Sequence, residues 1–245
     1  MSQLSDNTGV FGIARWQAWA PGVAEPEAWR DWLSEGRCPE PDALPDVSYL
    51  PSLLRRRLDR CGRMALATAW PCAEGLASVQ SVFASRHGAL GRTVELLTAL
   101  ARGEALSPAS FSLSVHNSTV GLFSIARGDR GAATAMAAGD DSLGMSLLEG
   151  ANLIAAGASH VLVCYADDRL PAPYAGTVQD SSHHPFAVSL LLTQPEGAPL
   201  TGRLVRSAAG TEELPEPALM RFLLDAQDSI IGVDQPWRLE RAHAG

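Results

Sequence analysis

The chain has 245 residues, 46% of them hydrophobic, with 19 basic and 27 acidic residues and a formal net charge of −8. That is enough apolar material for a substantial core, and the negative charge argues against a nucleic-acid binder or a surface drawn to anionic lipid. The four cysteines, Cys38, Cys61, Cys72 and Cys164, show no paired spacing, which predicts a reducing compartment and neither a disulfide framework nor a metal site. The opening MSQLSDNTGVFG lacks the basic stretch and apolar run of a signal peptide, and no window is apolar over the length that spans a bilayer. A soluble cytoplasmic protein without membrane contact is expected.

In chain order, Val10 to Ala20 (VFGIARWQAWA) alternates apolar with small or polar residues and predicts a strand. Pro21 to Pro45 is rich in proline and reads as loop around one short helix near Pro26 to Ser34. Helical spacing recurs from Pro51 to Ala77, with Gly62 expected to separate two helices. Ala77 to Ala84 reads as a strand, and Thr93 to Arg102 as a helix stopped by Gly103. Asn117 to Arg127 reads as a helix entered through polar residues, and Ala132 to Ala138 as a strand of small side chains. A helix from about Asp141 to Ala156 follows. Its sequence SLGMSLLEGANLIAA is apolar nearly all round, as in a helix buried on most faces. Gly144 and Gly150 are costly in a helix and suggest close approach of a neighbour. Strands are expected at His160 to Tyr165 and Phe186 to Thr193. The tail reads as loop, ending in one short helix around Ala218 to Gln227. Alternating strands and helices predict a layered α/β fold.

The richest stretch is HNSTVGLFSIARGDRGAATAMAAGDDSLGMSLLEGANLIAAGASHVLVCYADD, His116 to Asp168. Asn117, Gly121, Gly128 and Gly131 are spaced as in the segment of β-ketoacyl synthases that presents their nucleophilic cysteine, and the chain resembles that family there. The resemblance runs over roughly Val10 to Thr193 and implies the N-terminal half of a thiolase-like α-β-α-β-α fold. We expect one domain over residues 1–245, with a divergent extension over 194–245. In the family's register the nucleophile's place falls on Asp140, and a carboxylate is a poor acceptor for an acyl chain carried as a thioester. The family's two downstream catalytic histidines would lie beyond Gly245, and His183, His184 and His243 sit in no matching motif. By this resemblance no residue is catalytic, and no cofactor or metal is implied.

The implied role is that of a chain-length factor, similar to those of aryl polyene clusters. Such a subunit pairs with an active synthase and sets product length on an acyl carrier protein. A degenerate synthase that decarboxylates malonyl thioesters, and a free-standing carrier-binding module, are the alternatives. Asp140 is read either as a helix cap or as a residue occluding the acyl-acceptor site. The strand Ala132, Ala133, Thr134, Ala135, Met136, Ala137, Ala138 matches the one that pairs across the family's two-fold axis, although an ordinary central strand would suit these residues equally. The resemblance makes Phe111, His116 and Met136 tunnel-shaping candidates, Phe111 being equally readable as a core aromatic. Arg56, Arg57 and Arg60, within the only dense basic cluster, are candidates for carrier docking or for a solvated helix face. His183-His184 reads as loop, with no third ligand for a metal.

Overall fold

Two unbroken apolar runs, HVLVCYAD and FAVSLLLT, form strands buried along nearly their whole length, as befits strands covered on both faces. The computed structural model describes residues 7–23, 26–35, 40, 42–176, 184–207, 215–225, 227–232 and 237–242. Its elements are β1 (Asn7–Trp19), α1 (Pro26–Glu35), α2 (Ser52–Arg55), α3 (Arg60–Cys72), β2 (Gln80–Ala84), α4 (Leu90–Ala101), α5 (Pro108–Ser112), α6 (Ser118–Arg127), β3 (Ala133–Met136), α7 (Ser142–Ala155), β4 (His160–Asp167), β5 (Phe186–Thr193), β6 (Leu200–Arg206), α8 (Pro215–Asp225), β7 (Ser229–Ile231) and β8 (Trp237–Arg241).

All eight strands join one sheet in the order β3-β2-β4-β5-β1-β6-β8-β7. β2 runs parallel to β3 and β4, and the remaining pairs are antiparallel. Alternation along each strand divides the interior in two. Val161, Val163 and Tyr165 of β4 join Leu143, Leu147 and Ile154 of α7 in one core, which α1 and α8 complete. Leu162, Cys164 and Ala166 face α3 and α6 in the other, beside Met64, Leu66 and Phe123. The fold is α/β, with helices on both faces of a single sheet.

Several sequence expectations shift for physical reasons. Gly62 does not break a helix. It lies in the first turn of α3, and its N–H donates to the capping Asp59 carboxylate at 2.8 Å. The break falls earlier, between α2 and α3. The tail is not mostly loop: β6, β8 and β7 extend the sheet, and α8 packs against β7, α1 and α7. These short strands carry little periodicity, so only their sheet partners reveal them. α7 is buried as expected, but under α8 and β7 and not under a second sheet.

The entry to β3 is tightly built. Asp129 accepts from Ser78 Oγ (2.7 Å), Val79 N (3.1 Å) and Gly131 N (2.8 Å), and Arg127 lies over both Trp70 and Phe123. A Cβ on Gly131 would lie 2.4 Å from the Val79 carbonyl oxygen, whereas one on Gly121 would meet nothing within 4 Å. Gly131→Ala is therefore expected to destabilise the protein by about 1–3 kcal/mol. Gly121→Ala, in a helix with open space, should be neutral or stabilising by up to about 1 kcal/mol. Urea denaturation of both variants checks the pair, and equal effects would contradict the close-approach argument.

Candidate functional site

The site lies where β2, β3 and β4 reach their C-terminal ends, the usual location of sites in open α/β sheets. β3 leaves the sheet through a turn in which Gly139 has φ +59°, a conformation that favours glycine. Ser142 Oγ locks this turn, accepting from Ala138 N at 2.9 Å and donating to the Gly139 carbonyl at 2.7 Å. Asp140 stands between Gly139 and the first turn of α7.

Asp140 is not a helix cap. The N-cap position of α7 is Asp141, which makes no side-chain capping bond. Asp140 Oδ1 instead lies 2.5 Å from Arg86 Nη1, with the Arg86 side chain 11% exposed. Arg86 follows β2 and is far from Asp140 in sequence, so no local pattern announced the pairing. Its backbone is fixed by Asp167, the last residue of β4, whose buried carboxylate accepts from Arg86 N (2.8 and 3.0 Å), His87 N (3.2 Å) and Ser85 Oγ (2.6 Å). Beside them the Tyr165 hydroxyl donates to Glu216 Oε1 at 2.7 Å, both residues being buried. Burial pushes the Glu216 carboxyl up to about 7. The Tyr165 bond opposes that rise, while the charges of Asp167 and Asp140 add to it. Sequence reasoning missed Arg86, Tyr165, Asp167 and Glu216. Arg86 follows the apolar β2 by two residues and Asp167 closes the apolar β4, which was the available signal.

A thiol nucleophile is absent from this place, and the described cysteines do not replace it. Cys61, Cys72 and Cys164 are buried in the α3 layer, their Sγ atoms donating to carbonyls of Ala166, Ser189 and Ala65 respectively. Burial raises all three thiols, Cys72 and Cys164 to about 12. Cys38, His183 and His243 lie outside the described residues. Among the described residues no group of three or more His, Cys, Asp or Glu side chains is placed to hold a metal, and no helix is long and apolar enough to cross a membrane.

β3 is an edge strand, paired only with β2 among the described residues, and not the central strand of the alternative reading. Ala132, Ala133, Thr134 and Ala137 are exposed, while Ala135, Met136 and Ala138 are half-buried. Phe111, on α5, is 63% exposed and is not a core aromatic. Val115 and Ile125 are likewise exposed. His116 ties this region to the strand, its Nε2 lying 2.7 Å from the Met136 carbonyl oxygen. The basic cluster divides. Arg56 and Arg57 are exposed in the turn after α2, but Arg60 turns inward to Asp168 at 3.6 Å. The structure thus brings Asp140, His116 and Met136 to one end of the sheet, sets Arg60 beside the end of β4 through Asp168, and leaves Arg56 and Arg57 exposed.

A profile described as "Beta-ketoacyl synthase, N-terminal domain" matches residues 29–223. The chain belongs to this family. No curated protein matches the sequence significantly. Among solved structures it is similar to a chain of the ketosynthase ApeO in complex with its chain length factor ApeC from Xenorhabdus doucetiae. That match has 29% identity and a TM-score of 0.80, and covers 95% of this chain and 100% of that one. The ishigamide ketosynthase/chain length factor matches at 18% identity and TM-score 0.60, over 78% of this chain and 64% of that one. AntDE:AntF, a type II acyl-carrier protein in complex with its ketosynthase bound to the hexaketide, matches at 14% and 0.56, over 76% and 63%. The last two likenesses show the shared fold.

For this β-ketoacyl synthase-like domain, the geometry at Asp140 yields a direct check. A thiol introduced by D140C would sit beside the Arg86 guanidinium at the start of α7, both of which favour a thiolate. It is expected to react with iodoacetamide at pH 7 at least about tenfold faster than Cys61, Cys72 and Cys164. Peptide mass mapping over time reads the four rates, and equal rates would show that Asp140 does not occupy a nucleophile-like environment.

Proposed function

We propose that the chain is a chain length factor, a subunit without acyl-transfer chemistry of its own that pairs with an active β-ketoacyl synthase and shapes its acyl tunnel. The observation that carries this reading is Asp140. It stands at the turn where the family presents its nucleophile, and it is engaged by Arg86. A carboxylate held this way offers no acceptor for a thioester. The same observation disfavours the decarboxylase alternative, because the ion pair occupies the place where an acyl thioester would be bound.

The partner is inferred from the opposite edge of the same turn. β3 presents a free ladder edge lined with small side chains, and such an edge left uncovered invites pairing. Exposed Phe111, Val115 and Ile125 supply apolar area nearby. The solved complex of ApeO with its chain length factor supports a heterodimer of this kind. In this reading Ala132 to Ala138 form the interface strand, Phe111, His116 and Met136 bound the tunnel, and Arg56 and Arg57 with Arg60 at their margin meet an acidic acyl carrier protein. The substrates are growing chains of aryl polyene, polyketide or fatty-acid-like type, elongated in the cytoplasm.

Co-expression with a full-length ketosynthase bearing the cysteine and both histidines tests the proposal. Size exclusion with mass detection is expected to show a stable one-to-one heterodimer, and a folded chain that ignores the synthase would sink it. Thr134→Arg, at an exposed position, should leave the fold intact and weaken the heterodimer at least about tenfold, a loss equal to 1.4 kcal/mol. Phe111→Ala is expected to shift the product distribution towards longer chains, read by mass spectrometry of the carrier-bound products. The double variant Arg56→Glu/Arg57→Glu should slow carrier association most at low salt, because exposed charges steer encounter. Titration of the heterodimer with carrier at two ionic strengths reads that effect.

A further inference from the structure

Buried acids meet behind Asp140. Asp167 is satisfied by donors from Ser85, Arg86 and His87, and Asp140 takes the Arg86 guanidinium. Glu216 accepts from the uncharged Tyr165 hydroxyl, and its side chain reaches this place from the second residue of α8. Glu216 is 5% exposed and so is Asp167. Burying a negative charge on Glu216 within reach of the Asp167 and Asp140 carboxylates is strongly unfavourable, and a proton is the simplest relief.

We propose that Glu216 is a proton-operated latch: carrying a proton it seats α8 on the sheet behind the Asp140 turn, and its ionisation loosens that helix. The position of α8 gives the latch its consequence. This helix covers α7 and packs on β7 and α1, so its seating closes the core on that side. Among the described residues, β4 brings Tyr165 and Asp167 to Glu216, and the turn before α7 brings Asp140, which holds the Arg86 guanidinium. α8 also packs against α1, β7 and β8, whose buried Trp29, Trp32, Ile231 and Leu239 carry no charge, and Arg221 lies on α8 itself.

The sign follows from the direction of the shift. Burial raises the folded carboxyl from 4.5 to about 7, so the folded state holds the proton more tightly than the unfolded chain does. The stabilising contribution is complete below the unfolded value and is lost as pH rises through about 7. Between those two values the proton released on opening makes opening about tenfold more favourable per pH unit, and above about 7 both states are ionised and the dependence ends.

Hydrogen exchange of α8 in the full chain between pH 5 and pH 9, normalised for intrinsic exchange chemistry, tests the latch, with β4 and β5 as internal references. Protection of α8 is expected to fall about tenfold per pH unit from pH 5 to about pH 7 and then to level off, while β4 and β5 hold. Glu216→Gln keeps the shape without the charge and should give a flat profile. Tyr165→Phe separates a latch from a simple structural bond. The hydroxyl favours the ionised carboxylate, so removing it should move the point where the fall levels off to higher pH. A merely structural bond would instead lower protection equally at every pH. A flat wild-type profile overturns the proposal, as does a Glu216→Gln profile with the wild-type slope. If Glu216→Gln fails to fold, the wild-type and Tyr165→Phe profiles decide alone.

Discussion

The carboxylate of Asp167 organises the functional end of the molecule. It sits at the end of a strand buried on both faces, where an unsatisfied charge would be costly, and it collects donors from Ser85, Arg86 and His87. Those bonds set the path of the chain after β2. That path aims the Arg86 guanidinium at Asp140, and the ion pair faces the turn that Ser142 locks. One buried acid thus fixes a cation, and the cation engages a second acid at the start of α7.

A consequence is that one turn has two different sides. Inward, it is filled by polar groups bonded to one another. Outward, it ends an edge strand whose small side chains and unpaired ladder edge are suited to a partner. The strand and turn lie within the match to the β-ketoacyl synthase N-terminal domain.

The C-terminal segment bears on how this chain covers its own core. α7 is apolar nearly all round, so its outward side needs cover. α8 and the short strand β7 supply it, and Glu216 enters the polar cluster as part of that cover.

The helices and strands of the central region were legible in the chain because their patterns are long and local. α7 announced itself as a continuous apolar helix, β4 and β5 as unbroken apolar runs, and the glycine spacing before Asp140 carried the family. Other features were not legible. Gly62 looked like a helix break because propensity weighed more than the Asp59 cap three residues earlier, and β6, β7 and β8 were too short to show a period. Asp140 read as a cap because capping is the local use of an aspartate at a helix start. Its true partner, Arg86, arrives from another strand, and so do the partners of Glu216. By itself, then, the sequence determined the class of fold and the family, both of which rest on order and spacing along the chain. Only the tertiary structure decided which strand became an edge and which charges came to share one buried site. Those outcomes depend on contacts between residues far apart in the chain, and on the cost of leaving a charge unpaired away from water.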